Sequence, residues 1–356
     1  MTAPEGAEPR GAVPITVLTG FLGAGKTTLL NAALRGPALA GTAVIVNEFG
    51  AVGIDHLLVE AADSDMLVLT TGCICCAAPG DLLAAVEKLL ERRRDEALAF
   101  DRIVIETTGL ADPGPVLNAL LSGPAVDRGV MLEGVLTLVS AVDGGATLDR
   151  YDEARRQVVL ADRILLTKTD LLADVTGSER AASLENRLAA LNPAAVIGCA
   201  RQAGAEAWSL RDLGTRAIRP ASTPARHHPG ADAQIRAVTL EAGIVDAARL
   251  SGFVVLLQER YGPALLRLKG IAAFSQDPHR PAVVQVVGHL LHPVTYLDAW
   301  REDRHTRLVA ILDGVDPADT ASLWDDLFGP PAVDRPDAAA LLHERSGGAG
   351  LIGGSL

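Results

Sequence analysis

The stretch Val17-Leu-Thr-Gly20-Phe-Leu-Gly23-Ala24-Gly25-Lys26-Thr27-Thr28-Leu-Leu30 constrains this chain more than any other. It matches G-x-x-x-x-G-K-[ST] in full, with an apolar run before it and a helical run after it. Glycines at 20, 23 and 25 let the backbone turn tightly enough to aim several N–H groups at one phosphate. A helix that starts there adds the positive end of its dipole. Lys26 can reach β- and γ-phosphates, and the Thr27 hydroxyl can ligate Mg²⁺. An ordinary glycine-rich turn explains neither residue. The expected cradle runs from Gly20 through Ala24 to Thr28.

Apolar runs at Ile15–Thr19, Ala43–Val46, Met66–Thr70, Arg102–Ile105, Gly134–Val139, Arg163–Leu166 and Ala195–Cys199 read as strands. Helical spacing appears after the phosphate loop up to about Leu34, over Leu82–Arg93 and around Ala181–Leu191. Alternating strands and helices imply an α/β domain of the P-loop NTPase class, a mainly parallel sheet with helices on both faces. Each polar motif follows the carboxyl end of a strand, and in a parallel sheet those ends share one ligand-binding rim. Strand order decides which motifs meet there, and the pattern of residues does not contain it.

Glu106-Thr-Thr-Gly109 ends one such strand. A carboxylate there can hold the Mg²⁺ shell, and the Gly109 N–H can meet a γ-phosphate. GTPases usually carry Asp at the first position; Glu is one methylene longer. Thr167-Lys168-Thr169-Asp170 ends another strand. Asp170 can accept from guanine N1 and N2 together, and Lys168 can lie across the base. GTPases commonly have Asn where this chain has Thr167, so an amide contact is lost.

Four cysteines occur, and three of them are Cys73, Cys75 and Cys76. Thiolates bind zinc, and structural zinc sites use four ligands, so three sulfurs in one short loop suit a metal that is passed on. Redox chemistry stays open, although adjacent Cys75 and Cys76 could pair only as a strained disulfide. Glu48, in Asn47-Glu48-Phe49-Gly50, sits where a switch would lie. It can touch Mg²⁺ or complete the cysteine-bound metal's shell, or it can be a capping carboxylate. Cys199 stands alone and reads as core.

The 356 residues suggest two domains. Residues 1–12 read as a tail, 13–218 as the nucleotide-binding domain and 219–234, rich in Pro and Ala, as a linker. Residues 235–330 read as a small α+β domain of ferredoxin-like type, and 331–356 as a second tail. The net charge of −12 argues against a nucleic-acid partner, which needs concentrated Lys and Arg. No uninterrupted apolar run reaches the ~18 residues of a membrane span. The first twelve residues lack the apolar core of a secretory signal, so the expected location is cytoplasmic.

Taken in order, the phosphate loop, Asn-Glu-Phe-Gly, Gly-Cys-Ile-Cys-Cys, Glu-Thr-Thr-Gly-Leu-Ala-Asp-Pro and Thr-Lys-Thr-Asp resemble the CobW-type metallochaperone GTPases. Arg267-Leu-Lys-Gly-Ile-Ala-Ala-Phe274 and the stretch from His292 to Val309 are similar to that family's C-terminal domain. The resemblance covers about residues 13–330. It implies GTP hydrolysis coupled to holding and delivering a transition metal to a client metalloprotein. The implied cofactors are GTP, Mg²⁺ and Zn²⁺, with Co²⁺ or Fe²⁺ as alternatives. On this chain the resemblance implies that Gly23, Gly25, Lys26, Thr27 and Thr28 bind phosphates and Mg²⁺, with Glu106 as the Mg²⁺-side carboxylate. It implies that Thr167, Lys168 and Asp170 read guanine, and that Cys73, Cys75 and Cys76 hold the metal. Lys26, Thr27 and Glu106 are the expected catalytic set.

Two rivals stand beside it. One is a nucleotide-gated scaffold for metalloenzyme maturation or cobalamin synthesis that transfers no metal itself. The other is an ATP-dependent small-molecule kinase. Homodimerisation is open on this sequence.

Overall fold

The computed structural model describes residues 12–47, 58–62, 66–71, 79–95, 98–121, 129–172, 175–202, 204–210, 234–292, 294–300 and 303–329. Their contacts divide into two compact units, one carrying the described residues up to 210 and the other those from Gln234 onward.

The first unit is built on β1 (Val13–Gly20), β2 (Thr42–Asn47), β3 (Leu58–Ala62), β4 (Met66–Thr71), β5 (Arg102–Glu106), β6 (Val130–Ser140), β7 (Arg163–Thr167) and β8 (Val196–Cys199). The strand order is β3-β4-β2-β5-β1-β6-β7-β8. All neighbours run parallel except β3, which lies antiparallel on β4 at one edge. An antiparallel hairpin at the edge of a parallel sheet needs no crossover helix, and no helical run separates β3 from β4 in the sequence.

Both faces of the sheet are buried along its central strands. Leu18, Val44, Val104, Leu136 and Leu165 pack into one cluster with Leu30 of α1 (Lys26–Leu34) and with Trp208. Their neighbours along the same strands, Val17, Ile45, Ile105, Val135 and Ile164, are also buried and point to the opposite face by strand alternation. Continuous apolar strands are what a doubly covered parallel sheet requires. The other helices of this unit are α2 (Pro79–Arg94), α3 (Gly114–Leu121), α4 (Gly144–Arg150), α5 (Asp152–Val159) and α6 (Val175–Leu191). Neither α3, α4 nor α5 was expected from periodicity, because each is only two turns long.

The second unit holds β9 (Ile235–Ala242), β10 (Ile244–Val245), α7 (Ala247–Tyr261), β11 (Leu265–Phe274), β12 (Asp277–Val287), β13 (Leu290–Leu291), β14 (Thr295–Tyr296), β15 (Thr306–Asp313) and α8 (Pro317–Phe328). Its sheet is ordered β13-β12-β11-β15-β9 and is antiparallel apart from the two-residue β10. Leu240, Leu268, Val284 and Ala310 of the sheet pack against Phe253 of α7 and Trp324 of α8. The expected ferredoxin-like type is corrected here. The main elements run β–α–β–β–β–α, so a helix ends the domain where that fold closes with a strand. Element types were readable from the period; their wiring was not.

Candidate functional site

The register lines up the motifs on one rim. Leu18 of β1 and Val46 of β2 both pair with Glu106 of β5. Gly20 pairs with Leu138, Ser140 with Thr167, and Leu166 with Cys199. The phosphate loop therefore leaves from the centre of the sheet, between β5 and β6.

Gly20 is required at the strand's exit. It has φ 143°, and a Cβ there would stand 2.5 Å from the carbonyl oxygen of Leu138. Gly25 caps α1 with φ 92° and makes no side-chain capping hydrogen bond, so the cap carries no side chain over the first turn. Lys26 is buried, and its Nζ donates to the carbonyl of Gly20 at 2.8 Å. Thr27 Oγ1 donates to Glu106 Oε1 at 3.0 Å. A hydroxyl and a carboxylate meeting at a loop of this shape form an oxygen donor pair suited to Mg²⁺. Thr108 Oγ1 is buried beside them in sequence with no partner among the described residues. The residues present fit a magnesium–nucleotide complex.

The segment after Glu106 is fastened from several directions. Thr107 donates its N–H to Leu18 O at 2.9 Å, and its hydroxyl donates to Thr19 Oγ1 at 2.8 Å. Gly109 lies on the phosphate loop so closely that a Cβ would come within 2.6 Å of Leu22 N. Gln157 Nε2 donates to the carbonyls of Gly109 at 3.1 Å and Ala111 at 3.0 Å. Arg156 Nη1 donates to Asp112 Oδ2 at 2.7 Å.

On the other side of the loop, Thr167 Oγ1 donates to Ala24 O at 2.8 Å. Lys168 follows with φ 56°, the only left-handed non-glycine residue among those described. Asp170 lies half-exposed in a short 3₁₀ turn, 3.8 Å from Arg201 Nη1. Cys199, expected in the core, is partly exposed, and its Sγ lies 3.2 Å from Thr169 Oγ1. Cys199 and Arg201 thus border the Thr167–Asp170 turn, beside which β7–β8 pairing places them. Sequence reasoning also passed over Gln157, Arg156 and Tyr151, whose ring stacks on Phe21 with centroids 4.5 Å apart. None of them belongs to a recognisable motif.

Cys73, Cys75, Cys76 and Glu48 lie outside the described residues. The strands that lead to them are described. Asn47 at the end of β2 pairs with Thr71 at the end of β4. Asn47, which precedes Glu48 in the sequence, and Thr71, two residues before Cys73, therefore end adjacent strands of the rim. β4 is three strands from β1, about 14 Å at ordinary strand spacing.

Among the described residues no helix is long and apolar enough to cross a membrane. Residues 14–197 match the family model described as CobW/HypB/UreG, nucleotide-binding domain, and residues 235–328 match that of the cobalamin synthesis protein cobW C-terminal domain. The chain is 36% identical to the zinc chaperone YjiA of Escherichia coli over 273 residues, covering 75% of this chain and 84% of that protein. It is 31% identical to the zinc chaperone CobW of a Sinorhizobium species, covering 85% and 93%. The solved structure of the Zn(II)-bound YjiA GTPase from E. coli superposes with a TM-score of 0.67 at 29% identity, covering 89% of this chain and 99% of that one.

Proposed function

The chain belongs to the CobW/HypB/UreG nucleotide-binding family, and on that premise we propose that it is a GTPase metallochaperone. It hydrolyses GTP and couples hydrolysis to holding a transition metal and delivering it to a client metalloprotein. Zinc is the leading cargo, after the names of its relatives, with Co²⁺ or Fe²⁺ as alternatives.

The observation that carries this function is the Thr27–Glu106 hydrogen bond, 3.0 Å long, on the rim where Asn47 and Thr71, the described residues that precede Glu48 and the cysteines, end their strands. Phosphate-binding residues and the approaches to the cysteines share one sheet edge. In this assignment Gly20, Gly23, Ala24, Gly25 and Thr28 cradle the phosphates, and Lys26 turns its ammonium onto their β- and γ-oxygens. Thr27 and Glu106 hold Mg²⁺, which neutralises developing charge when bound. The Gly109 N–H contacts the γ-phosphate, and Lys168 and Asp170 read the guanine. Cys73, Cys75 and Cys76, with Glu48 as fourth donor, take the cargo metal.

The test is metal affinity, read by competition with a chromophoric chelator, for Zn²⁺, Co²⁺ and Fe²⁺ with and without a Mg²⁺-bound, non-hydrolysable GTP analogue. Nucleotide and metal sites that are coupled change each other's affinity by the same factor. The expected result is tighter metal binding with the analogue, abolished in the Cys73→Ser/Cys75→Ser/Cys76→Ser protein. An affinity indifferent to nucleotide in the wild type excludes the chaperone function and leaves the scaffold.

A further inference from the structure

Leu110 is exposed, yet the residues on either side of it, Gly109 and Ala111, are buried. Their carbonyls would be costly to leave without hydrogen bonds. One side chain serves both. Gln157 of α5, 1% exposed, places its Nε2 3.1 Å from Gly109 O and 3.0 Å from Ala111 O. A primary amide has two hydrogens on one nitrogen, so these two bonds use its full donor capacity. A second anchor sits one residue earlier. Arg156 binds Asp112 Oδ2 at 2.7 Å, while Asp112 Oδ1 accepts the N–H of Gly114 at the start of α3 at 2.8 Å.

The helix supplying both anchors is itself tied to the phosphate-binding strands. Thr137 Oγ1 of β6 donates to the Gln157 carbonyl at 2.9 Å. Tyr151, immediately before α5, stacks on Phe21 of the phosphate loop. One short helix, together with the residue that precedes it, therefore contacts both the phosphate loop and the segment that follows Glu106. The side-chain hydrogen bonds of Gln157 and Arg156 described above run to Gly109, Ala111 and Asp112.

We infer that α5, through Gln157 and Arg156, is the positioning element of the Gly109–Asp112 segment, and that it holds this segment where hydrolysis of the γ-phosphate requires it. The inference rests on the GTPase reading above. Gln157 is a positioning residue, since it acts on the segment and not on the nucleotide. Methionine in its place keeps the length and removes both donors; glutamate keeps the shape and sets oxygen against two carbonyl oxygens.

The experiment uses the full chain with Gln157→Met and, because a buried substitution can unfold a protein, also Arg156→Ala at the half-exposed anchor. Single-turnover GTP hydrolysis with Mg²⁺, affinity for a fluorescent GDP, and amide hydrogen exchange over residues 107–114 without nucleotide are measured. The expected result for Gln157→Met is a fall in hydrolysis of about tenfold or more, with GDP affinity within about twofold of wild type. Arg156→Ala is expected to lose less, about threefold, because its ion pair is partly exposed and screened. In both variants the 107–114 amides exchange faster, while those of β1 and β6 do not change.

Unchanged exchange over 107–114 in both variants overturns the inference alone. So does faster exchange with hydrolysis untouched. A parallel fall of hydrolysis, GDP affinity and melting temperature in both variants assigns the contacts to general stability and also overturns it. A wild-type protein that neither binds nor hydrolyses GTP sinks the GTPase reading on which the inference rests.

Discussion

The hydroxyl of Thr167 donates to the carbonyl of Ala24 at 2.8 Å, joining two residues 143 positions apart. Both are buried. Thr167 stands where an asparagine is common in GTPases, and the shorter side chain keeps a bond to the phosphate loop. Its partner Ala24 lies on that loop, so the Thr167–Asp170 turn and the glycine-rich loop are fastened to each other. Left-handed Lys168 then turns the chain outward toward Asp170.

Thr167→Val keeps the branched shape and removes the donor. Losing one buried hydrogen bond of this kind costs about 1 kcal/mol and leaves a carbonyl unsatisfied. GDP and GTP affinities should both fall, by about fivefold, because in the proposed assignment the cradle serves both nucleotides. Preference for guanine over adenine should survive, since Asp170, the proposed guanine reader, is untouched. Fluorescent-nucleotide titrations measure all three quantities; a loss of guanine preference with unchanged affinity would contradict this account.

Glu106→Gln tests the oxygen pair. The amide keeps the size of the side chain and loses the charge that favours Mg²⁺ over water. Hydrolysis should fall by about a hundredfold. GDP binding measured in EDTA should be unchanged, because the phosphate cradle does not use the carboxylate. Removing Mg²⁺ from the wild type should lower its rate at least as far, and without Mg²⁺ the two proteins should hydrolyse GTP at the same rate.

Asp246 makes a pH prediction in the second unit. It caps α7, accepting the N–H of Arg249 at 2.9 Å. That bond foremost holds its carboxyl below the usual range, with the Gln276 amide and the Ala248 N–H adding to it. A pKa lowered by folding contributes stability that is full above the unfolded value and is lost as pH falls through the folded one. Asp246→Ala should therefore melt about 2–4 °C below wild type at neutral pH. The gap should close as the pH drops below the ordinary carboxylate range. Thermal melts of the two proteins at pH 7 and pH 3 check it.

How much of this was legible in the sequence depended on range. The strand ends were, because apolar runs stop at polar motifs: Thr71, Glu106 and Thr167 each close a strand. The phosphate loop and Glu106 were legible as separate motifs, and parallel topology placed them on one rim. Their 3.0 Å contact was not legible, since it needs β5 beside β1. Gln157 was invisible for a different reason. Its work is done by an amide facing two backbone carbonyls, and backbone partners leave no trace in residue identity. The partly exposed placement of Cys199 beside Thr169 likewise depends on β8 lying next to β7, while composition alone favoured the core.

Gly109→Ala separates packing from general stability. A Cβ at 109 would stand 2.6 Å from Leu22 N and 2.8 Å from Leu22 Cα, and backbone atoms cannot swing aside as a flexible side chain can. The segment must lift from the phosphate loop, carrying the Gly109 N–H with it. Hydrolysis should fall at least about tenfold, and any preference for GTP over GDP should shrink, because in the proposed assignment this N–H meets only the γ-phosphate. Affinity for GDP should stay within about twofold. Gly145→Ala in α4 is the matched control: its Cβ would meet no atom within 4 Å, and alanine favours a helix over glycine by about 1 kcal/mol. That variant should hydrolyse GTP at the wild-type rate and melt at the same temperature or slightly higher. Equal losses in the two variants would mean that crowding at Leu22 is not what ties Gly109 to the phosphate loop.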